Sequence, residues 1–240
     1  MNKQNLLASI ATASLLACSN FSYADISAEV GVVSDYRENG ISWSDRKPAL
    51  QAGIEYSHDS GFYLGGWASN IDYGRDEDGV KDDAKVETNF YIGYEYGITE
   101  DVLLRGEAMK LIYIGDSNYN YEEYTIGLNL FENTDFSVTY TSDYSGSELA
   151  NYLFVLSQDF PFADVYNLNV SLFRQQNETV EAGEGLWDED HNYYNGAEMT
   201  LSREWQGFDF AITASTTSIK TPVEDGKSSI VFGISKAWDF

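Results

Sequence analysis

The 240-residue sequence is poor in several residue types: one cysteine, two histidines, three prolines, and 14 basic residues against 39 acidic ones. A single cysteine makes no internal disulfide, and the histidines lack the paired spacing of a zinc site. Any serine–histidine–acid site must use His58 or His191. His58-Asp59-Ser60 reads as turn chemistry before Gly61, and no G-x-S-x-G elbow occurs in the chain. The sequence therefore calls for no catalytic residue, no metal and no cofactor, and the chain is not read as an enzyme. A formal charge of −25 excludes nucleic acid as a partner, because phosphate binding needs a basic surface. Beyond the first 24 residues there is no run of about 18 apolar residues, so no helix is expected to span a membrane.

Residues 1–24 carry Lys3, an apolar stretch from Leu6 to Ala17, and Ser22-Tyr23-Ala24 before Asp25. This is the pattern of a secretory signal peptide with a small-x-small cleavage site. Reading "LLAC" instead as a lipoprotein site acylated at Cys18 fits less well, because Leu16 is bulky beside the cleavage position. Cleavage after Ala24 leaves residues 25–240 with no thiol and removes only one charge.

What is abundant is aromatic: 15% of the chain, with 18 tyrosines. Acidic disordered chains are poor in aromatics, so this one is expected to fold. The dominant period is two. In "VETNFYIGYEYGI", Val86, Thr88, Phe90, Ile92, Tyr94 and Tyr96 share one face, and Glu87, Asn89, Tyr91, Gly93 and Glu95 the other. "DISAEVGVV", "PALQAGIEYSH", "EYTIGLNLF", "YNLNVSLFR" and "FDFAITAST" repeat the alternation. About twelve such segments of roughly ten residues predict an all-β chain, and that length suits a tilted strand crossing a bilayer.

Connections alternate too. Short turns at 59–61, 99–101, 132–134, 161–164 and 205–207 interleave with mostly longer polar stretches at 37–47, 73–85, 115–121, 145–148, 176–190 and 219–226. This rhythm predicts a transmembrane up-and-down antiparallel barrel in the bacterial outer membrane. An even strand count places both termini on the periplasmic side. The chain ends on the apolar face of a strand, with Phe232, Ile234, Trp238 and Phe240 at alternate positions. Those residues read as the signal shown to the barrel-assembly machinery, and their face as one that meets outer-membrane lipid. Lys236 on that face is tolerable where its ammonium snorkels toward headgroups.

If apolar faces meet lipid, the lumen receives Glu29, Glu55, Glu87, Glu95, Glu107, Glu123, Glu198 and Asp209, against Arg105 as the one inward cation. Arg105 and Glu107 share a face and could pair. Eight acids and one base predict a porin-like channel that passes small solutes and favours cations. The alternative is a non-conducting barrel, structural or lipid-modifying, plugged by bulky inward residues such as Tyr63, Trp67 and Tyr91 or by a loop folded inside. Acidic stretches near 76–83 and 178–190 match no calcium-loop spacing. Solute and oligomeric state stay open.

Residues 34–70, "SDYRENGISWSDRKPALQAGIEYSHDSGFYLGGWASN", resemble the amino-terminal signature of the TorF-like family of bacterial outer-membrane porins, a conserved family of unknown function. The resemblance rests on Tyr36, Gly40-Ile41-Ser42, Pro48-Ala49-Leu50-Gln51, Gly53, Tyr56, His58, Ser60-Gly61-Phe62-Tyr63, Gly65, Trp67 and Ser69-Asn70. It implies a barrel and a channel. Asn39 stands where the family pattern has arginine and Ala52 where it has glycine, so no site role is carried to those positions.

Overall fold

The computed structural model describes residues 25–74, 82–178, 191–219 and 226–240. The expected signal peptide and much of the two acidic stretches lie outside the described residues. Twelve strands close into one antiparallel barrel: β1 (Asp25–Val33), β4 (Ala49–Ser57), β5 (Phe62–Asn70), β6 (Val86–Thr99), β7 (Val102–Ile114), β8 (Tyr121–Leu130), β9 (Thr134–Thr141), β10 (Asn151–Phe162), β11 (Tyr166–Asn177), β12 (Tyr193–Trp205), β13 (Phe208–Thr217) and β14 (Ser229–Asp239). Two short strands, β2 (Arg37–Glu38) and β3 (Ile41–Ser42), pair with each other between β1 and β4. Barrel neighbours in sequence are neighbours in space, the up-and-down order that the turn rhythm predicts. Closure is made by β14 on β1, with Ser27 opposite Asp239 and Val33 opposite Gly233. The last backbone N–H, of Phe240, donates to the Ile26 carbonyl at 2.9 Å.

The side-chain distribution is inverted relative to a water-soluble protein. Ile126, Ile230, Leu50 and Phe90 face outward and are 58–66% exposed. Glu87, Asn89, Gln175, Asn177, Thr200 and Ser202 face inward and are buried. Such an arrangement is stable only where the outer surface meets hydrocarbon. Phe232, Ile234, Trp238 and Phe240 all lie on the outer face and are exposed. Lys236 shares it, with its ammonium 5.0 Å from the Phe208 ring and 5.6 Å from that of Trp238. Aromatic faces thus hold the one cation of this strand.

At one end of the barrel the connections are short: 58–61, 100–101, 131–133, 163–165 and 206–207. Gln206 and Gly207, with φ of 55° and 74°, form a two-residue hairpin of the type whose twist matches the strands. At the other end run 34–48, 71–85, 115–120, 142–150, 178–192 and 218–228. Tyr124, Tyr140 and Tyr152 stand in one outward row across β8, β9 and β10, with the last two rings 5.2 Å apart. Trp205, Phe208, Phe162 and Phe131 are exposed at the short-turn end. Aromatics at both rims suit the two interfaces of a bilayer.

Candidate functional site: the barrel lumen

Strand parity turns every acidic candidate inward: Glu29 on β1, Glu55 on β4, Glu87 and Glu95 on β6, Glu107 on β7, Glu123 on β8, Glu198 on β12 and Asp209 on β13. They do not converge on one point. Glu55, Glu95 and Glu107 share the β4–β7 wall. Glu87 lies closer to the long-loop end, Glu198 on the far side, and Asp209 beside a short turn. Glu29, Glu55, Glu95, Glu107, Glu123 and Asp209 are half-buried inside the closed barrel, and Glu87 and Glu198 are buried. His58 belongs to no lumen constellation. Its Nδ1 accepts from the Ser60 backbone N–H at 3.1 Å, and its carbonyl accepts from Gly61 N–H, capping the turn.

The bulky inward residues are paired across the sheet with glycines. Tyr63 stands directly opposite Gly93, Tyr91 opposite Gly65, Trp67 opposite Gly53 and Phe173 opposite Gly196. A methyl group on Gly93 would collide with the end of the Tyr63 ring, one on Gly65 with Tyr91, and one on Gly196 with Phe173. The Tyr63, Tyr91 and Phe173 rings are therefore folded sideways over the neighbouring strand. Glycine on the neighbouring strand supplies the room for Tyr63 and Tyr91, whereas Trp67 packs against the Tyr36 ring.

Tyrosine hydroxyls fix the carboxylates of this wall. Tyr91 Oη donates to Glu55 at 3.0 Å, Tyr63 Oη to Glu107 at 2.9 Å, and Tyr36 Oη to Glu87 at 3.2 Å. Arg105 is buried, and the carboxylate within 4 Å of it is that of Asp135, at 3.9 Å. Glu107 does not pair with Arg105. Gly127 stands opposite Arg105 on β8, and its missing side chain lets the guanidinium reach past β8 toward β9.

An unforeseen part of the lumen is residues 34–48, which enter the barrel as a hairpin. Asn39 and Gly40, with φ of 49° and 78°, make its two-residue turn between β2 and β3. Inside the hairpin Asp35 accepts from Arg37 Nη1 at 2.8 Å, Ser42 Oγ at 2.6 Å and Ser44 Oγ at 3.2 Å. Its base contacts one side of the barrel, where the Tyr36 and Trp67 rings are 5.4 Å apart. Its tip reaches the opposite side: Asn39 O accepts from Tyr194 Oη at 3.0 Å, Gly40 packs against Thr217 and Phe173, and Arg37 Nη2 donates to Lys227 O at 3.0 Å. The hairpin thus bars the lumen near the long-loop end. Trp43 extends it into an aromatic layer, 5.3 Å from Tyr73 and 6.2 Å from Tyr113. Burial, followed by the facing carboxylates Glu87, Glu123 and Glu198, holds the Glu38 carboxyl of this hairpin well above the usual range.

Over residues 17–238 the sequence matches the family described as "Bacterial protein of unknown function (Gcw_chp)". No curated protein sequence matches. Among solved structures the fold is similar to the KdgM porin (10% identity, 90% of this chain and 99% of that one, TM-score 0.53). It is also similar to the NanC porin (10% identity, 88% and 98%, TM-score 0.53) and to LpxR from Salmonella typhimurium (9% identity, 88% and 99%, TM-score 0.53). At such identities the likeness is one of fold. The TorF-like name suggested by residues 34–70 is not the description that the matching family carries. The chain belongs to the Gcw_chp family of bacterial proteins of unknown function, and its fold is the closed twelve-stranded barrel of outer-membrane porins.

Proposed function

We propose that this protein is an outer-membrane, porin-like channel through which small solutes diffuse passively with a preference for cations, and that it works by conduction rather than catalysis. Residues 1–24 act as its export signal, and both termini and the short turns face the periplasm. The observation that carries the reading is the sign and accessibility of the wall. Carboxylates on β1, β4, β6, β7, β8 and β13 are half-buried on the inner wall, while the bases inside the barrel are buried and paired, Arg105 against Asp135 and Arg37 of the hairpin against Asp35. Rings of carboxylate lower the energy of a cation and raise that of an anion. The KdgM porin has been solved in complex with an oligogalacturonate, an anionic chain; the wall described here favours the opposite sign.

The hairpin at 34–48 favours a second reading, a barrel closed by its own loop, and the likeness to LpxR is compatible with a role outside transport. Planar-bilayer recordings of the refolded protein separate the two. Discrete current steps with a reversal potential on the cation side support the channel. A folded barrel that is silent until residues 37–42 are replaced by a short glycine–serine turn supports the closed form.

A further inference from the structure

We infer that the β4–β7 wall is a track for organic cations, ammonium or guanidinium groups on a small carbon frame, rather than for bare metal ions. This rests on the cation-preferring reading above and narrows it. Among the described residues no three acidic or histidine side chains converge closely enough to hold a metal ion. The carboxylates are instead strung along the wall, Glu87 toward the long loops and then Glu55 and Glu107, each pinned by one tyrosine hydroxyl. Between them the half-buried Tyr91 ring lies over Gly65, backed at 6.2 Å by the buried Tyr63 ring over Gly93.

Flattened rings beside fixed carboxylates have a chemical consequence. An aromatic face attracts a cation, and most strongly one that sheds water readily. Guanidinium is more weakly hydrated than ammonium, and both carry apolar frames that gain from contact with a ring. Small metal ions keep their water and gain little from such a surface. A separate observation points to an N–H donor. Asn89, between Glu87 and Tyr91 on the same inward face and 3% exposed, donates from Nδ2 to Glu87 at 2.8 Å. Its Oδ1 has no partner. A buried amide oxygen without a partner beside a carboxylate is an acceptor that an N–H group of a cation satisfies once the Tyr36 contact above Glu87 gives way.

The test is a bi-ionic potential of arginine hydrochloride against potassium chloride across single refolded barrels, with tryptophan fluorescence titrated by arginine as a readout that needs no current. Arginine is expected to exceed the permeability set by its free mobility by about two- to fivefold. Saturable fluorescence change is expected alongside. Tyr63→Leu with Tyr91→Leu is expected to remove both effects. Glu55→Gln with Glu107→Gln, which adds no bulk, is expected to do the same should the leucine variant not refold. A cation-selective barrel in which arginine follows its free mobility and leaves fluorescence unchanged overturns the track while sparing the channel. Absence of any cation selectivity, with no arginine binding, overturns both.

Discussion

Alanine at Gly93 tests whether the inward aromatics are held against the wall by glycine. A Cβ there meets the end of the Tyr63 ring, whose hydroxyl bonds Glu107 at 2.9 Å. Two responses are open to the protein. With the ring in place, overpacking costs about 1–3 kcal/mol. With the ring swung into the lumen, the hydrogen bond is lost, worth about 1 kcal/mol net, and the tyrosine enters the solute path. Gly106→Ala is the internal control, since a Cβ at that outward position has nothing within 4 Å. Urea unfolding of refolded barrels, followed by heat-modifiable mobility, should place the Gly93 variant about 1–3 kcal/mol below wild type. The Gly106 variant should stay within about 0.5 kcal/mol of it. Single-channel conductance of the Gly93 variant should fall where the ring has swung inward. Equal stability of the two variants, together with unchanged conductance, would refute the packing of Tyr63 over Gly93.

Three further outcomes are expected. Ile126→Arg, on the outer face of β8, should cost about 2–4 kcal/mol in lipid vesicles, and Thr125→Arg, facing inward one residue away, much less; equal costs would remove the lipid-facing assignment. Docking of the 34–48 hairpin should weaken as pH rises. Glu38 keeps its proton in the docked state above the range where a free carboxyl loses it, so the stabilisation is complete below the ordinary carboxylate range and fades as pH climbs through the raised value. Amide hydrogen exchange at residues 36–42, corrected for its intrinsic pH dependence, should therefore accelerate with pH in wild type, and a shallower profile is expected for Glu38→Gln. Deletion of Phe240 should reduce the yield of assembled barrel in cells several-fold while detergent refolding is little changed; parallel loss in both would mark Phe240 as structural alone.

The strands and the side each acid faces were legible because a period of two is local. Once Phe90 and Ile92 are assigned to lipid, Glu87 and Glu95 have no choice but the interior. Short turns at 99–101 and 205–207 were equally local. The hairpin was not legible in that way. Asn39-Gly40 is a turn signal, but β2 and β3 have two residues each, and what docks them are contacts 155 and 190 residues away, at Tyr194 and Lys227. Tyr63 and Gly93 are 30 positions apart across a long connection, so their pairing waits on register. Arg105 and Glu107 share a face in sequence, yet the guanidinium passes Gly127 toward Asp135, because a missing side chain on the adjacent strand opens the route. Within residues 34–70, whose family resemblance the sequence displays, lie both the hairpin and four members of the glycine–aromatic pairs, Gly53, Tyr63, Gly65 and Trp67.

The most direct measurement is the reversal potential of single refolded barrels in a potassium chloride gradient, for wild type and for Glu95→Gln with Glu107→Gln. Discrete steps with a potential on the cation side, reduced in the double variant, are expected. A potential at zero or on the anion side, from barrels that conduct, would contradict an acidic lumen as the selective element.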